Sequence, residues 1–295
     1  MAWQLTESLD EFERAAGGIL RADPVRQTVP LSVLESLRQA GPARFGDSPP
    51  FFGWHTRPDG TADGAVLQTP PYALLLASIP AGSVHELIAV VAANRQLPSA
   101  VNVASADQAA FLAAWTAVTG GTGSVRTRSR LYRLESLTPP DAGPPGAARL
   151  ARTEDHDLLV SWHEAFRLEA LGAGPEDPAR TVAERLSYGG LLLWEVDGKP
   201  VAMAGLTRVQ ASVARVVGVY TPSAHRKRGY GGAITTAASK AALAAGATHV
   251  VLFTDLANET SNALYQRLGY RPVEDRALLG LTAEQVVTAD GQARS

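Results

Sequence analysis

The sequence predicts a mixed α/β fold of the α+β kind, built from two consecutive domains. Three observations lead there. Helical and strand-like patterns alternate along the 295 residues. A segment with four prolines in ten residues, Thr138–Ala147 (TPPDAGPPGA), favours an extended spacer and divides the chain into 1–137 and 148–295. Finally, each half presents two helices, a hairpin around Asp-Gly, and then strand–helix–strand–helix–strand, the order expected of a duplication. A helix that crosses over between two strands makes them parallel, so each sheet should be mostly antiparallel with a parallel pair at its centre and helices flanking it.

Composition bounds the function. The chain is 45% hydrophobic and 19% charged with a net charge of −2, which opposes general nucleic-acid binding. It has no cysteine, which excludes disulfides, a thiol nucleophile and cysteine-based metal sites. The first residues, MAWQLTESLDEFERAA, are acidic and amphipathic and fit no signal peptide, and no apolar run reaches membrane length. The expectation is a cytoplasmic protein without a membrane or nucleic-acid partner and without a metal.

In the first half, Leu9, Phe12 and Ala16 mark a helix over 7–20, and Val33, Leu34 and Leu37 mark another over 28–40, with Pro30 in its first turn. Phe51–Thr56 and Gly64–Thr69 form a hairpin around Asp59-Gly60. Tyr72–Ile79 is an apolar strand closed by Pro80. Ser83–Asn94 is helical through Val84, Leu87, Ile88 and Val91, and Ala100–Ala104 is a short strand. Asp107–Val118 is a helix with Phe111, Leu112 and Trp115 inward, and Val125–Leu134 reads as a half-exposed strand.

The second half opens with a strand, Ala148–Arg152. Thr153 is expected to cap the next helix, whose buried stripe is Leu159, Trp162, Phe166 and Ala170. Pro178–Ser187 is a second helix, and Leu191–Val196 and Val201–Val209 make a hairpin around Asp197-Gly198. A strand over 213–221, an Ala-rich helix over Ala233–Ala245, a strand over Thr248–Phe253, a helix over Asn258–Leu268 and a last strand, Tyr270–Leu279, complete the order.

The most specific stretch is 213–233, VARVVGVYTPSAHRKRGYGGA. A β-rich run ends at Thr221-Pro222, a basic turn follows (Arg226, Lys227, Arg228), and Gly229, Tyr230, Gly231 and Gly232 lead into the helix. Glycines allow close backbone approach, free N–H groups at a helix start point at a ligand, and the helix dipole adds roughly half a positive charge. A pyrophosphate is the natural guest. No Lys-Ser or Lys-Thr follows the glycines, so this is not a P-loop; Ile234 stands where a dinucleotide fingerprint needs glycine. What remains, Arg226-x-x-Gly229-x-Gly231, resembles the pyrophosphate-binding motif of the GCN5-related N-acetyltransferases (GNAT).

A second motif follows the 248–253 strand. The run from Asn258 through Ser261, Leu264 and Tyr265 to Gly269-Tyr270 resembles the family's N-x-x-[SA]-x-x-L-Y-x-x-x-G-[FY] segment. Helical geometry places Asn258, Asn262 and Tyr265 on one face and Leu264 and Leu268 on the other. The resemblance covers about 148–280 and implies tandem GNAT-like domains, the first degenerate (1–137) and the second catalytic (148–295). It implies that the central parallel strands splay apart and that acetyl-CoA is the co-substrate, held by Val219, Tyr220 and Thr221, by residues 226–232, and by Asn258, Ser261 and Asn262. It also implies that Tyr265 donates a proton to the departing thiolate, and that the acceptor is an amine on a small molecule or peptide.

The general base is not legible. Val213–Tyr220 carries no carboxylate where many relatives place a glutamate; His163, Glu164, Glu169 and Asp255 are candidates. That absence keeps a second reading open, a non-catalytic acyl-CoA-binding regulatory module. The acceptor's identity is not legible either, and a homodimer is left open. In the first half the turn Pro80-Ala81-Gly82 has one glycine and no cation, and the following helix has Trp115 but no tyrosine. That half is expected not to bind CoA in this way.

Overall fold

The computed structural model describes residues 2–140, 142–170 and 175–284. In chain order the first half contains β1 (Ala2–Thr6), α1 (Leu9–Ala22), α2 (Thr28–Ala40), β2 (Phe51–Thr56), β3 (Ala62–Gln68), β4 (Leu74–Ser78), α3 (Val84–Asn94), β5 (Ala100–Ala104), α4 (Gln108–Thr119) and β6 (Gly123–Leu134). The second half contains β7 (Ala147–Leu150), α5 (His156–Ala170), α6 (Pro178–Leu186), β8 (Leu191–Val196), β9 (Lys199–Leu206), β10 (Val213–Tyr220), α7 (Tyr230–Ala244), β11 (His249–Asp255), α8 (Glu259–Arg267) and β12 (Tyr270–Leu281).

All twelve strands join one sheet in the order β1-β2-β3-β4-β5-β12-β6-β11-β10-β9-β8-β7. Two neighbouring pairs are parallel, β4 with β5 and β10 with β11, each bridged by one helix; the others are antiparallel. Chain order and sheet order part company in the middle. The last strand of the second half, β12, lies between β5 and β6, and the last strand of the first half, β6, lies between β12 and β11. The halves have exchanged their final strands. The long β6–β12 ladder runs from Leu134↔Tyr270 to Gly123↔Leu281. On it Arg130 donates to both oxygens of the facing Asp275, at 2.6 and 2.8 Å. That guanidinium holds the Asp275 carboxyl below the usual range.

Alternation along the strands sends apolar side chains to both faces. On one face α1 and α2 cover Phe52, Trp54 and Leu67, and α5 with α6 cover Leu191, Leu193 and Met203. On the other, α3 and α4 cover Leu74, Leu76 and Val101, and α7 with α8 cover Leu192, Ala214, Val216 and Leu252. Phe12, Ala16, Leu20, Leu34 and Leu37 are buried as the helical spacing requires.

Three local expectations change. The helix α5 is preceded by a short 3-10 turn, and Asp155, not Thr153, satisfies its start by accepting from the Arg152 N–H at 2.7 Å. Ala170 is exposed, so the α5 stripe ends at Phe166. The helix α7 starts at Tyr230 rather than Ala233, despite two glycines with poor helix propensity. Burial of the Tyr230 ring in the core and the seating of Gly232 under Leu264 outweigh that preference.

Candidate functional site

The centre of the site is a place where the sheet opens. β10 and β11 pair from Val213↔His249 to Val216↔Leu252 and no further, although β10 runs on to Tyr220 and β11 to Asp255. On the opposite edge, the β10–β9 register shifts between Val217 and Tyr220. Gly218 sits there at φ 57°, a left-handed conformation that glycine adopts without a Cβ penalty. Gly218 and Val219 therefore have ladder partners on neither side. The result is a cleft of about 640 Å³, walled by Val216–Val219, Leu252–Asp255, Ala257–Ser261 and Tyr265. Phe166, Glu169 and Ala170 of α5 close one side. Thr127 and Ser129, from the exchanged strand β6, close another.

At one end of this opening the chain turns into α7. Lys227 (φ 62°) and Gly229 (φ 83°) are both left-handed, with a helix start immediately after them. Among the described residues no hydrogen bond takes the backbone N–H of any residue from 227 to 232; the first is Ala233, which donates to the Gly229 carbonyl at 3.1 Å. Six successive unpaired amides in such a turn make an anion nest. The side chains of Lys227 and Arg228 are exposed beside it. Arg226 turns away: its Nε donates to the Thr221 carbonyl at 2.9 Å, and its guanidinium pairs with Glu169 and lies over the Tyr220 ring. A Cβ added to Gly231 would stand 3.8 Å from Thr221 Oγ1 and 3.9 Å from Leu264, ordinary contact. At Gly232 it would press on Leu264 at 3.2 Å. The ring of Tyr230 is buried in the core, so only its backbone faces the nest.

The helix α8 lines the far wall. Asn258 caps it, accepting from the Ser261 N–H at 3.0 Å. Asn262 donates to the carbonyls of Asp255 and Asn258, each at 2.8 Å, and accepts from the Tyr132 hydroxyl at 2.9 Å. Both amide hydrogens and the oxygen are engaged, so Asn262 ties helix, strand end and exchanged strand together. Tyr265 is buried between the rings of Tyr132 and Tyr270 while still lining the cleft. Burial pushes its hydroxyl up to about 12, and a hydrogen bond with Ser261 opposes that shift only in part.

The four candidate bases separate cleanly. Glu169 and Asp255 line the cleft, whereas Glu164 is exposed outside it. His163 is buried under α5, where its Nε2 faces an Arg185 N–H at 3.2 Å. Burial first, and Arg185 second, lower its affinity for a proton. Glu259, absent from the sequence-based set, also lines the cleft. Its place just after the Asn258 cap is the signal that could have found it. Thr127 and Ser129 carry no such signal, because only the strand exchange brings them here.

Residues 158–270, within the second half, match the family model described as "Acetyltransferase (GNAT) family", a match that supports acyl transfer from acyl-CoA in general. No curated protein matches the chain in sequence. Among solved structures, a GNAT-family acetyltransferase from Colwellia psychrerythraea aligns with a TM-score of 0.61 at 15% identity, over 95% of this chain and 98% of that one. A GCN5-related N-acetyltransferase from Sphaerobacter thermophilus aligns at 0.60 and 16%, over 95% of each. A tandem GNAT protein from the clavulanic acid biosynthesis pathway aligns at 0.54 and 14%, over 95% of this chain and 98% of that one. At these identities the likeness is one of fold, and it spans both halves.

Proposed function

We propose that the second half transfers an acetyl group from acetyl-CoA to a primary amine of a small molecule or peptide, by direct attack of the amine on the thioester. The observation that carries this reading is that β10, whose partnerless Gly218–Val219 backbone lines the cleft, leads directly into the turn whose amides from 227 to 232 are unpaired. A pyrophosphate fits the nest, and the pantetheine would run along the free edge of Val219–Thr221. An N–H at the β10 bulge would then meet the thioester carbonyl and stabilise the oxyanion as the amine adds. The C–N bond forms, the C–S bond breaks, and the amine gives up its proton.

Tyr265 lies on the far wall of that cleft. At about 12 its phenol is a weaker acid than a thiol, whose reference value is near ~8.5. It therefore keeps its proton and donates a hydrogen bond to the sulfur as charge develops, so that the coenzyme leaves as a stabilised thiolate. Asn258 and Ser261 flank the coenzyme, and Asn262 positions the wall. Glu169, Asp255 and Glu259 are the carboxylates placed to take the amine proton, directly or through water.

A non-catalytic acyl-CoA sensor is the second reading, favoured by the lack of any carboxylate on β10 itself. Thiol release from acetyl-CoA, measured with a panel of primary amines, separates the two. Amine-dependent release supports transfer. Saturable acetyl-CoA binding with no release for any amine supports the sensor.

A further inference from the structure

A second pocket, of about 170 Å³, lies where the halves meet and shares no lining residue with the cleft. Its walls come from α2 of the first half and from α6 and the β9–β10 turn of the second, and it opens into a neighbouring hollow of about 340 Å³. Four arginines face it: Arg44, Arg185, Arg208 and Arg215.

Only Arg44 has a carboxylate partner, Glu184. Among the described residues, no carboxylate lies within 4.0 Å of the guanidinium of Arg185, Arg208 or Arg215. Arg185 faces the His163 ring nitrogen at 3.2 Å and hydrogen-bonds with Tyr188, neither of which carries a negative charge to offset its own. Arg208 stacks on the Tyr188 ring at 4.1 Å, and its buried Nε has no partner. Arg215 rises from the middle of β10, and its guanidinium donates to Thr28 Oγ1 of α2 at 3.3 Å. Burial and the nearby Arg185 pull its proton affinity down to about 10. Of the other acids on the wall, Glu35 is already paired with Arg38, and Glu176 accepts from Thr181.

Half-buried guanidinium groups without a carboxylate partner are costly, and three converging on one small pocket make it a place for negative charge. Guanidinium forks suit planar and tetrahedral oxyanions. We propose that this pocket between the halves binds a compact, multiply charged oxyanion, a phosphate ester or a di- or tricarboxylate, held by Arg185, Arg208 and Arg215. Such a ligand would fasten α2 to β10, and so one half to the other. The proposal is independent of the acetyl-transfer reading, since the two sites have no residue in common.

The test is thermal unfolding of the intact chain with inorganic phosphate or citrate against sodium chloride of matched ionic strength. Saturating CoA is present throughout, so that phosphate cannot act through the nest. The wild type should gain several degrees in Tm; a gain with phosphate alone assigns phosphoryl ligands, one with citrate alone assigns carboxylates, and gains with both assign the shared oxyanion chemistry. Arg215→Met should have an equal or higher Tm without anion, because an unpaired charge is removed, and should lose the gain. Arg208→Gln should lose it as well and serves if Arg215→Met does not fold. Arg57→Ala, whose partner Asp63 lies outside the pocket, should keep it. A wild type indifferent to both anions, or an undiminished gain in the folded arginine variants, would overturn the proposal.

Discussion

The same topological corner occurs twice in this molecule and is finished in two ways. After β10 the chain enters α7 through a turn with two left-handed residues, six unpaired amides and exposed cations. After β4 it enters α3 through Pro80-Ala81-Gly82-Ser83, where Ser83 turns both its N–H and its hydroxyl onto the Pro80 carbonyl. Glu86 sits in the first turn of α3, and its carboxylate accepts from the Trp3 N–H at 3.2 Å. A negative side chain thus occupies the end of the helix that would attract an anion. The hollow beside it is about 70 Å³ and mostly apolar. Both parallel pairs open early, β4–β5 after Leu75↔Asn102 and β10–β11 after Val216↔Leu252. Both corners combine splayed strands with free first-turn amides, so what sets the α7 corner apart is the unbroken run of six amides from 227 to 232 and its exposed cations, against the Glu86 carboxylate and the cation-free turn before α3.

The largest expected effect removes the phenol hydroxyl of Tyr265, for which the corresponding helix of the first half has only Trp115. In the first half Trp115 spends its indole N–H on the Thr282 carbonyl at 2.7 Å. Tyr265→Phe should lower kcat by about 10²-fold, the scale of one lost oxyanion donor, with little change in KM for acetyl-CoA. An unchanged kcat, with chemistry rate-limiting, would leave Tyr265 as packing. The raised hydroxyl also sets a pH expectation: because the phenol stays protonated up to about 12, it should cause no alkaline fall in kcat below that value. The stabilisation that comes with its neutral form is complete below ~10, the unfolded value, and is lost as pH climbs toward about 12.

Next in size is the nest. Gly231→Val places a side chain in a position with room inside the protein, so the fold should survive while CoA affinity falls tenfold or more, about 1.4 kcal/mol. Gly232→Val, pressed against Leu264, should instead lower Tm. Calorimetry with CoA and thermal unfolding on both variants would show whether the two effects separate in this way. Smaller again are the cations. Arg226→Gln should change CoA affinity no more than about twofold, because its guanidinium is already committed to Glu169 and Thr221. Arg228→Gln should cost about two- to fivefold, and less at high salt. Equal losses would mean that Arg226 swings out to meet the phosphates. Smallest of all, Glu86→Gln should cost at most about 1 kcal/mol of stability and leave CoA binding untouched.

Much of this could be read from the residues. The glycines and proline around the turns, the helical spacing of Leu87, Ile88 and Val91, and the two motifs at 226–231 and 258–270 are local signals, and the elements lie where those signals place them. The exchange of β6 and β12 was not legible, because strand pairing between distant segments leaves no local mark. The short strand β1 escaped for a related reason: Ala2–Thr6 gains its shape from pairing with β2 and from the Trp3 indole bond to Ser83. In the site, sequence spacing separated polar from apolar positions on α8, yet it could not say that Asn262 is fully engaged within the protein or that Tyr265 is buried. Those facts depend on Tyr132, which arrives from the other half.

The exchanged strands also decide how the central claim should be tested, since a fragment of either half would lose a strand from its sheet. Titration calorimetry of acetyl-CoA into the intact chain is the direct measurement. One site per chain, weakened tenfold or more in Gly231→Val and kept in Glu86→Gln, is the result that follows from the six successive unpaired amides and exposed cations before α7 and from the cation-free turn Pro80-Ala81-Gly82-Ser83 before α3. Two equivalent sites, or one site indifferent to Gly231→Val, would contradict it.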